Sequence, residues 1–261
     1  ELRQEVPEIV EDNPVLYLKG CDKLGNHREI PVSGNMLSRH MMLIGGIGTG
    51  KTNAFFQMIS QIKHNLTNDD VMIIFDTKGD FYKEFYETGD VVISNDGTAV
   101  GIDGKPDYWN IFQEVASGEQ QYAGVMEIAK SIFKEACEKT NQVFFPNAAR
   151  DIFMATMLHF LRYSEATGEK KYLNNAALVD FIKSKTSSEF RDMLYSYPDM
   201  RAMTSYISTD DSAQTQGVLS ELQQIVRDIF VGNFGKEGTL GLRDLVRQKG
   251  GRKIFIEYDL S

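Results

Sequence analysis

The sequence predicts an α/β fold in which a parallel-rich sheet carries a phosphate-binding loop and is interrupted by an inserted all-α domain. Three observations predict it. The apolar run Met41-Met42-Leu43-Ile44 leads into Gly45-Gly46-Ile47-Gly48-Thr49-Gly50-Lys51-Thr52, and an amphipathic stretch with Phe55, Phe56, Ile59 and Ile62 follows. After Phe112 the apolar spacing becomes helical and stays so for about a hundred residues. A β-type run, Ile254-Phe255-Ile256, then returns at the end of the chain. Strands on both sides of a helical block imply an insertion into a sheet.

The elements follow in order. Val15 to Val32 reads as a hairpin, with Gly20 and Gly25-Asn26 as turn material. Met41–Ile44 reads as a buried strand, and a helix is predicted from Lys51. Val71–Phe75 is a second apolar run, ended by Asp76; a short helix over Gly79–Thr88 and a strand at Val91-Val92-Ile93 come next. A turn-rich stretch from Asn95 to Asp107 closes in Tyr108-Trp109-Asn110-Ile111-Phe112. Tyr122, Val125, Ala129, Ile132, Phe133 and Ala136 share one helical face, and Pro146 suits the first turn of the next helix. That helix is apolar almost all round from Ile152 to Leu161, which places it at the centre of the helical part. Shorter helices are predicted near Asn175–Ser184 and Ser188–Tyr195, a long one over Val218–Phe230, and a last one at Leu242, Leu245 and Val246. The predicted organisation is a nucleotide-binding α/β part over 1–112, an all-α insertion over 113–212, and a return to the α/β part over 213–261.

Composition narrows the classes. With 261 residues, 42% hydrophobic and 25% charged, the chain has the balance of a globular protein, not of a disordered chain or a membrane bundle. No apolar run approaches the ~20 residues of a transmembrane helix, and no signal-peptide pattern opens the sequence. Two cysteines, Cys21 and Cys137, cannot build a disulfide framework or a four-cysteine zinc site, so a reducing compartment is expected. A net charge of −9 argues against a simple nucleic-acid sleeve, while leaving room for local basic patches. The first residue, Glu1, points to a piece of a longer protein.

The G-x-x-x-x-G-K-T run between strand and helix is a phosphate loop with the required context. Glycines at 45, 46, 48 and 50 let backbone N–H groups approach phosphate oxygens, and the helix that follows turns its positive end toward them. Lys51 neutralises the phosphates and the Thr52 hydroxyl is placed to ligate Mg²⁺, so ATP and Mg²⁺ are the expected cofactors. Gly45 to Thr52 form the expected cradle, with Ile47 and Thr49 contributing backbone.

Asp76-Thr77-Lys78-Gly79-Asp80 carries several readings. Asp76 ends an apolar strand as a metal-holding Walker B aspartate would, or is a plain polar strand end. D-x-x-G and [N/T]-K-x-D both overlap on these residues, and a GTPase needs the two motifs separately, which disfavours that class. Leu219-Ser220-Glu221-Leu222-Gln223 lacks the glycines of an ABC-transporter signature, and no arginine-rich lid of a small-molecule kinase is present. Lys78 stays, with Asp76, a secondary nucleotide-site candidate.

Arg39-His40-Met41-Met42-Leu43-Ile44-Gly45, then Asp76–Asp80, then Trp109-Asn110-Ile111-Phe112, in this order, resemble the type IV secretion coupling proteins, the TraG/TraD-like conjugation ATPases. Phe145–Leu161 and Asp244–Asp259 are similar to later segments of that family, and the similarity spans roughly Val15 to Ser261. The resemblance implies a RecA-like motor domain bearing an all-α cargo domain. It also implies hexameric ATPases at the cytoplasmic face of the bacterial inner membrane, anchored by N-terminal helices, that hand DNA–relaxase complexes or secreted proteins to a secretion channel. On that resemblance the acidic Walker B pair is expected beyond Ser261, and Asp76 sits on a neighbouring strand. The isolated piece is compatible with a monomer. Glu257 and Asp259, acidic at a strand end, are candidate substitutes for those carboxylates, although the structural role is the commoner outcome for such residues.

Other residues read as packing. Trp109 is expected in the core, His40 and His159 lack metal-ligand companions, and Met154, Met157 and Met193 fit as core filler. Arg162, Arg191, Arg201 and Arg227 include candidate trans-acting arginines. Two rival functions remain: a DNA pump of the FtsK/HerA kind, and a docking module that nucleotide merely switches.

Overall fold

The computed structural model describes residues 13–21 and 24–258. An antiparallel hairpin, β1 (Pro14–Cys21) and β2 (His27–Ser33), comes first, and a single turn, α1 (Gly34–Leu37), capped by Ser33, follows it. The helix after the glycine loop is α2 (Lys51–Ile62). The second sheet is parallel and consists of β3 (Val71–Phe75), β4 (Val91–Ser94) and β5 (Arg252–Glu257) in the spatial order β3-β5-β4. A short helix, α3 (Asp80–Phe85), links β3 to β4. The last strand in sequence is therefore the middle of the described sheet.

Continuous apolar runs suit strands covered on both faces. Val91, Val92, Ile254 and Phe255 are fully buried. Ile74, Val92 and Phe255 pack with Ile59 of α2 and Phe85 of α3. Val91, Ile93 and Ile254 face the other way, onto Leu240 and onto Leu245 of α9 (Leu242–Gln248). On its far side α2 meets the hairpin, where Met58 packs against Leu16 and Val32. Gln61 both accepts from Tyr17 N (2.8 Å) and donates to Tyr17 O (2.9 Å). Polar side chains of α2 thus satisfy backbone groups of a strand that has one neighbour among the described residues.

The helical block contains α4 (Gln121–Lys139), α5 (Phe144–Thr167), α6 (Asn175–Ser184), α7 (Ser187–Tyr195) and α8 (Ala213–Ile229). As the all-round apolar pattern predicts, α5 is its axis: Ile152, Phe153, Ala155 and Met157 are fully buried. Met154, Met157 and Met193 all belong to this core.

Two sequence expectations change. The boundary at 212/213 gives α8 to the returning α/β part, whereas Val218, Leu222 and Val226 pack into the helical core, which runs from Ile111 to Phe230. The apolar stripe of α8 finds its cover on α5 and α6, so packing sets the limit and not the change of spacing. Met41–Ile44, expected as a buried strand, forms none, and Met42 and Ile44 are 82% and 88% exposed. An apolar run becomes a strand only where a neighbour supplies the ladder, and among the described residues the sheet ends at β3.

Two buried asparagines join the helical block to the sheet. Asn175 Nδ2 donates to Trp109 O and Phe234 O, both at 2.8 Å, and its Oδ1 accepts from Ile111 N at 2.9 Å. Asn110 Nδ2 donates to Leu173 O (2.8 Å) and Gly238 O (2.9 Å), and its Oδ1 accepts from Phe112 N (3.0 Å). The approach of the returning chain is close enough that a methyl group on Gly238 would collide with Tyr108 O. Asn175→Ala strands a buried amide and two carbonyls, and should lower unfolding free energy by about 3 kcal/mol in a urea titration.

Lys253, on the central strand, is also buried: its Nζ lies 2.8 Å from Glu87 and 3.1 Å from Asp90, and Lys63 reaches Glu87 at 3.0 Å. Burial pulls the Lys253 ammonium down, but the hydrogen bonds it donates to Glu87 and Asp90 outweigh it and raise its pKa. Hydrogen bonds from Lys253 and then Lys63 hold Glu87 at about 2. A carboxylate depressed on folding stabilises above its unfolded pKa, and that contribution is lost as pH falls through the folded value. The melting temperature should therefore drop between roughly pH 4.5 and pH 2, and Glu87→Gln should flatten that part of the pH profile.

Candidate phosphate-binding site

The loop is built by glycine conformation. Gly48 and Gly50 hold φ of +77° and +85°, a region that side-chain-bearing residues rarely enter, and Gly50 is the N-cap of α2. The first helical bond runs from Ala54 N to Gly50 O at 3.0 Å. The amides of Lys51, Thr52 and Asn53 precede it and have no intrahelical acceptor, so they sit at the positive end of the helix. A methyl group on Gly45 would collide with Thr49 Oγ1, whose hydroxyl donates to Gly46 O at 2.9 Å. Lys51 folds back over the loop, its Nζ donating to Gly45 O at 2.7 Å and Gly46 O at 2.6 Å. Ile47 and Thr52 are exposed. Amides, one ammonium and one hydroxyl gathered at a helix start fit the tail of a nucleoside triphosphate with Mg²⁺.

The neighbouring helix start is tied to this one. Phe55 and Phe56, one turn into α2, meet Phe81 in the first turn of α3 with ring centroids 6.3 and 5.1 Å apart. Asp76, 3% exposed, caps α3: its Oδ2 accepts from Phe81 N at 2.8 Å and Tyr82 N at 2.9 Å. Its backbone N–H continues the ladder to Ile256 O at 2.8 Å. Lys78 is exposed, and its backbone N–H donates to Asp76 Oδ1 at 3.4 Å.

Glu257 ends β5, where its Oε1 is buried without a hydrogen-bond partner. Burial, and then the Asp76 charge, push its carboxyl above the ordinary range. Asp259 lies outside the described residues.

The remaining candidates are placed by packing. Trp109 stacks on Phe230 and donates from Nε1 to Glu114 at 2.9 Å. Glu114 also accepts from Leu242 N (2.7 Å) and Arg243 N (3.0 Å), so it caps α9. His159 sits in the helical block, 2.8 Å from the Tyr197 hydroxyl, with its pKa lowered by burial. His40 is exposed, with φ of +66°. Arg162 pairs with Asp199 (2.7 Å), Arg191 with Asp210 (2.7 Å), and Arg201 lies over the Tyr195 ring; Arg227 is exposed on α8. Sequence reasoning missed Glu114 and the two asparagines as structural anchors, because their partners lie up to 129 residues away in the chain.

Fold and loop together define an α/β protein whose parallel sheet is interrupted by a helical block, with a loop of phosphate-binding sequence between its two sheets. Residues 25–261 match the family described as the type IV secretion-system coupling protein DNA-binding domain. The chain belongs to that family. Among solved structures it is similar to the bacterial conjugative coupling protein TrwBdeltaN70. The trigonal form in complex with sulphate aligns with a TM-score of 0.65 at 16% identity, covering 88% of this chain and 49% of the other. The unbound monoclinic form gives 0.64 at 16% identity, with 88% and 48% covered. The chain thus spans about half the length of that protein. No curated protein sequence matches. Among the described residues, no helix is long and apolar enough to cross a membrane.

Because Asp76 holds two partly buried amides at the start of α3, Asp76→Ala should destabilise the fold by about 2 kcal/mol in chemical denaturation. Asp76→Asn, which keeps one acceptor oxygen, should lose roughly half as much.

Proposed function

We propose that this chain is the nucleotide-binding and cargo-recognising part of an ATP-driven coupling protein. In this reading it recruits DNA–relaxase complexes or protein substrates to a type IV secretion channel. The observation that carries it is the loop Gly45–Thr52, which opens α2 with the Lys51 ammonium held over its own carbonyls. Backbone N–H groups of 46–52 cradle the phosphates, Lys51 neutralises their charge, and the Thr52 hydroxyl ligates Mg²⁺. The metal supplies Lewis-acid polarisation of the phosphoryl oxygens. A phosphate oxygen replaces a loop carbonyl as the acceptor for Lys51 Nζ, which makes the lysine sensitive to the presence of the tail.

The helical block is the cargo side of this reading. It is a folded unit with its own core, set on the sheet by Asn110 and Asn175, so a load on it is transmitted through the same backbone that ends in β5. An acidic balance of −9 favours protein partners over naked DNA across most of the surface. Family membership supports the secretion assignment. Assembly as a homo-hexameric ring at the cytoplasmic face of the inner membrane belongs to the whole protein in the same reading.

Equilibrium binding of ATP with Mg²⁺ tests the site. Wild-type protein should bind, and Lys51→Ala should weaken binding by at least about tenfold, as expected for loss of a charge-assisted hydrogen bond. Thr52→Ala should leave metal-free nucleotide binding intact and reduce the gain that Mg²⁺ gives. Equal affinity for ATP in wild-type and Lys51→Ala protein would remove the assignment.

A further inference from the structure

A cavity of about 470 Å³ opens at the carboxyl ends of β3, β4 and β5, where ligands of parallel sheets commonly bind. Lys78 and Lys83 line it from the α3 side, Ser94 and Thr98 from the β4 side, and Glu257 from β5. It shares no lining residue with the glycine loop. Both lysines are exposed, and neither has a side-chain hydrogen bond or ion pair among the described residues. Two ammonium groups without a hydrogen-bonded partner thus line one cavity, with the carboxyls of Glu257 and Asp96 as the acids beside them.

We propose that this cavity is a second oxyanion site, which takes one phosphate group between Lys78 and Lys83 and the hydroxyls of Thr77 and Thr98. Every one of these groups donates. Asp96, the other acid on the rim, already accepts from Gly97 N at 2.7 Å through Oδ1.

Glu257 fits such a ligand as a neutral acid, and its surroundings favour that form. Its Oε1 is buried and unpartnered, and lies close enough to Gly79 that a methyl group there would stand 3.1 Å away. Burial and the Asp76 carboxylate favour the protonated form; Lys83 and Ser94 oppose it. A protonated carboxyl takes one negative charge away from the cavity rim, which lessens its repulsion of an anion. The segment Thr77-Lys78-Gly79, which the loop chemistry leaves without a function, acquires one here.

The reading of the glycine loop is independent of this site, and Lys51→Ala separates the two. Inorganic phosphate titrated calorimetrically into Lys51→Ala protein near neutral pH should still bind at one site. Adding Lys78→Ala and Lys83→Ala should weaken that binding by at least about tenfold, with an unchanged melting temperature, since both side chains are exposed and unpaired. Glu257→Gln, which keeps a neutral donor, should hold the affinity within about threefold. Displacement of phosphate by a single-stranded oligonucleotide would give the site to a nucleic-acid backbone; phosphate that the oligonucleotide cannot displace would give it to the free anion. No phosphate binding in Lys51→Ala protein overturns the proposal, and so does binding that survives removal of both lysines at the same melting temperature.

Discussion

Asn175 and Asn110 hold the two halves of the fold in register. Each places an amide nitrogen between two carbonyls and an oxygen on an amide, in a region from which water is excluded. The carbonyls come from the chain entering the helical block, from the α6 approach and from the chain returning to the sheet. Buried amide side chains of this kind are costly unless fully satisfied, so they tolerate one arrangement of the three segments and penalise others. With Trp109 stacked on Phe230 across the same junction, the insertion is packed onto the sheet and is not a domain on a tether.

That junction determines where the last strand goes. The chain comes back past Tyr108, α9 is capped by Glu114, and β5 is delivered between β3 and β4. A parallel sheet closed by its final strand brings residues from distant parts of the sequence to one rim. Asp76, Ser94 and Glu257 reach that rim from three different strands, and each meets a different local chemistry. Asp76 is satisfied by helix amides. Glu257 is desolvated and keeps one oxygen, Oε1, without a hydrogen bond, although both are strand-end acids in the sequence.

The glycine loop depends on a different support. α2 lies between the hairpin and the parallel sheet, fixed on one side by Met58 and Gln61 and on the other by Phe56 and Ile59. The cradle itself is exposed, so its shape comes from glycine dihedrals, Thr49 and Lys51 and not from burial. Such a loop combines local preorganisation with a packed helix beneath it.

Local chemistry was enough to read the loop, the hairpin turn at Gly25-Asn26, the axis helix α5 and the run of β5, because glycine spacing and apolar period act over a few residues. It also pointed to Trp109 and the core methionines as packing. The Met41–Ile44 run shows the limit: its composition is that of a buried strand, but a strand also needs a neighbour, and hydrogen-bond partners are not a local property. The same limit moved the end of the helical block from 212 to Phe230, since α8 belongs to whichever surface covers its stripe. The sequence alone determined the glycine-loop motif ahead of α2 and the helical block between β4 and β5. Only the tertiary structure decided strand order, the asparagine junction and which strand-end acid keeps a buried oxygen without a hydrogen bond, because each depends on atoms that are far apart in the chain and adjacent in space.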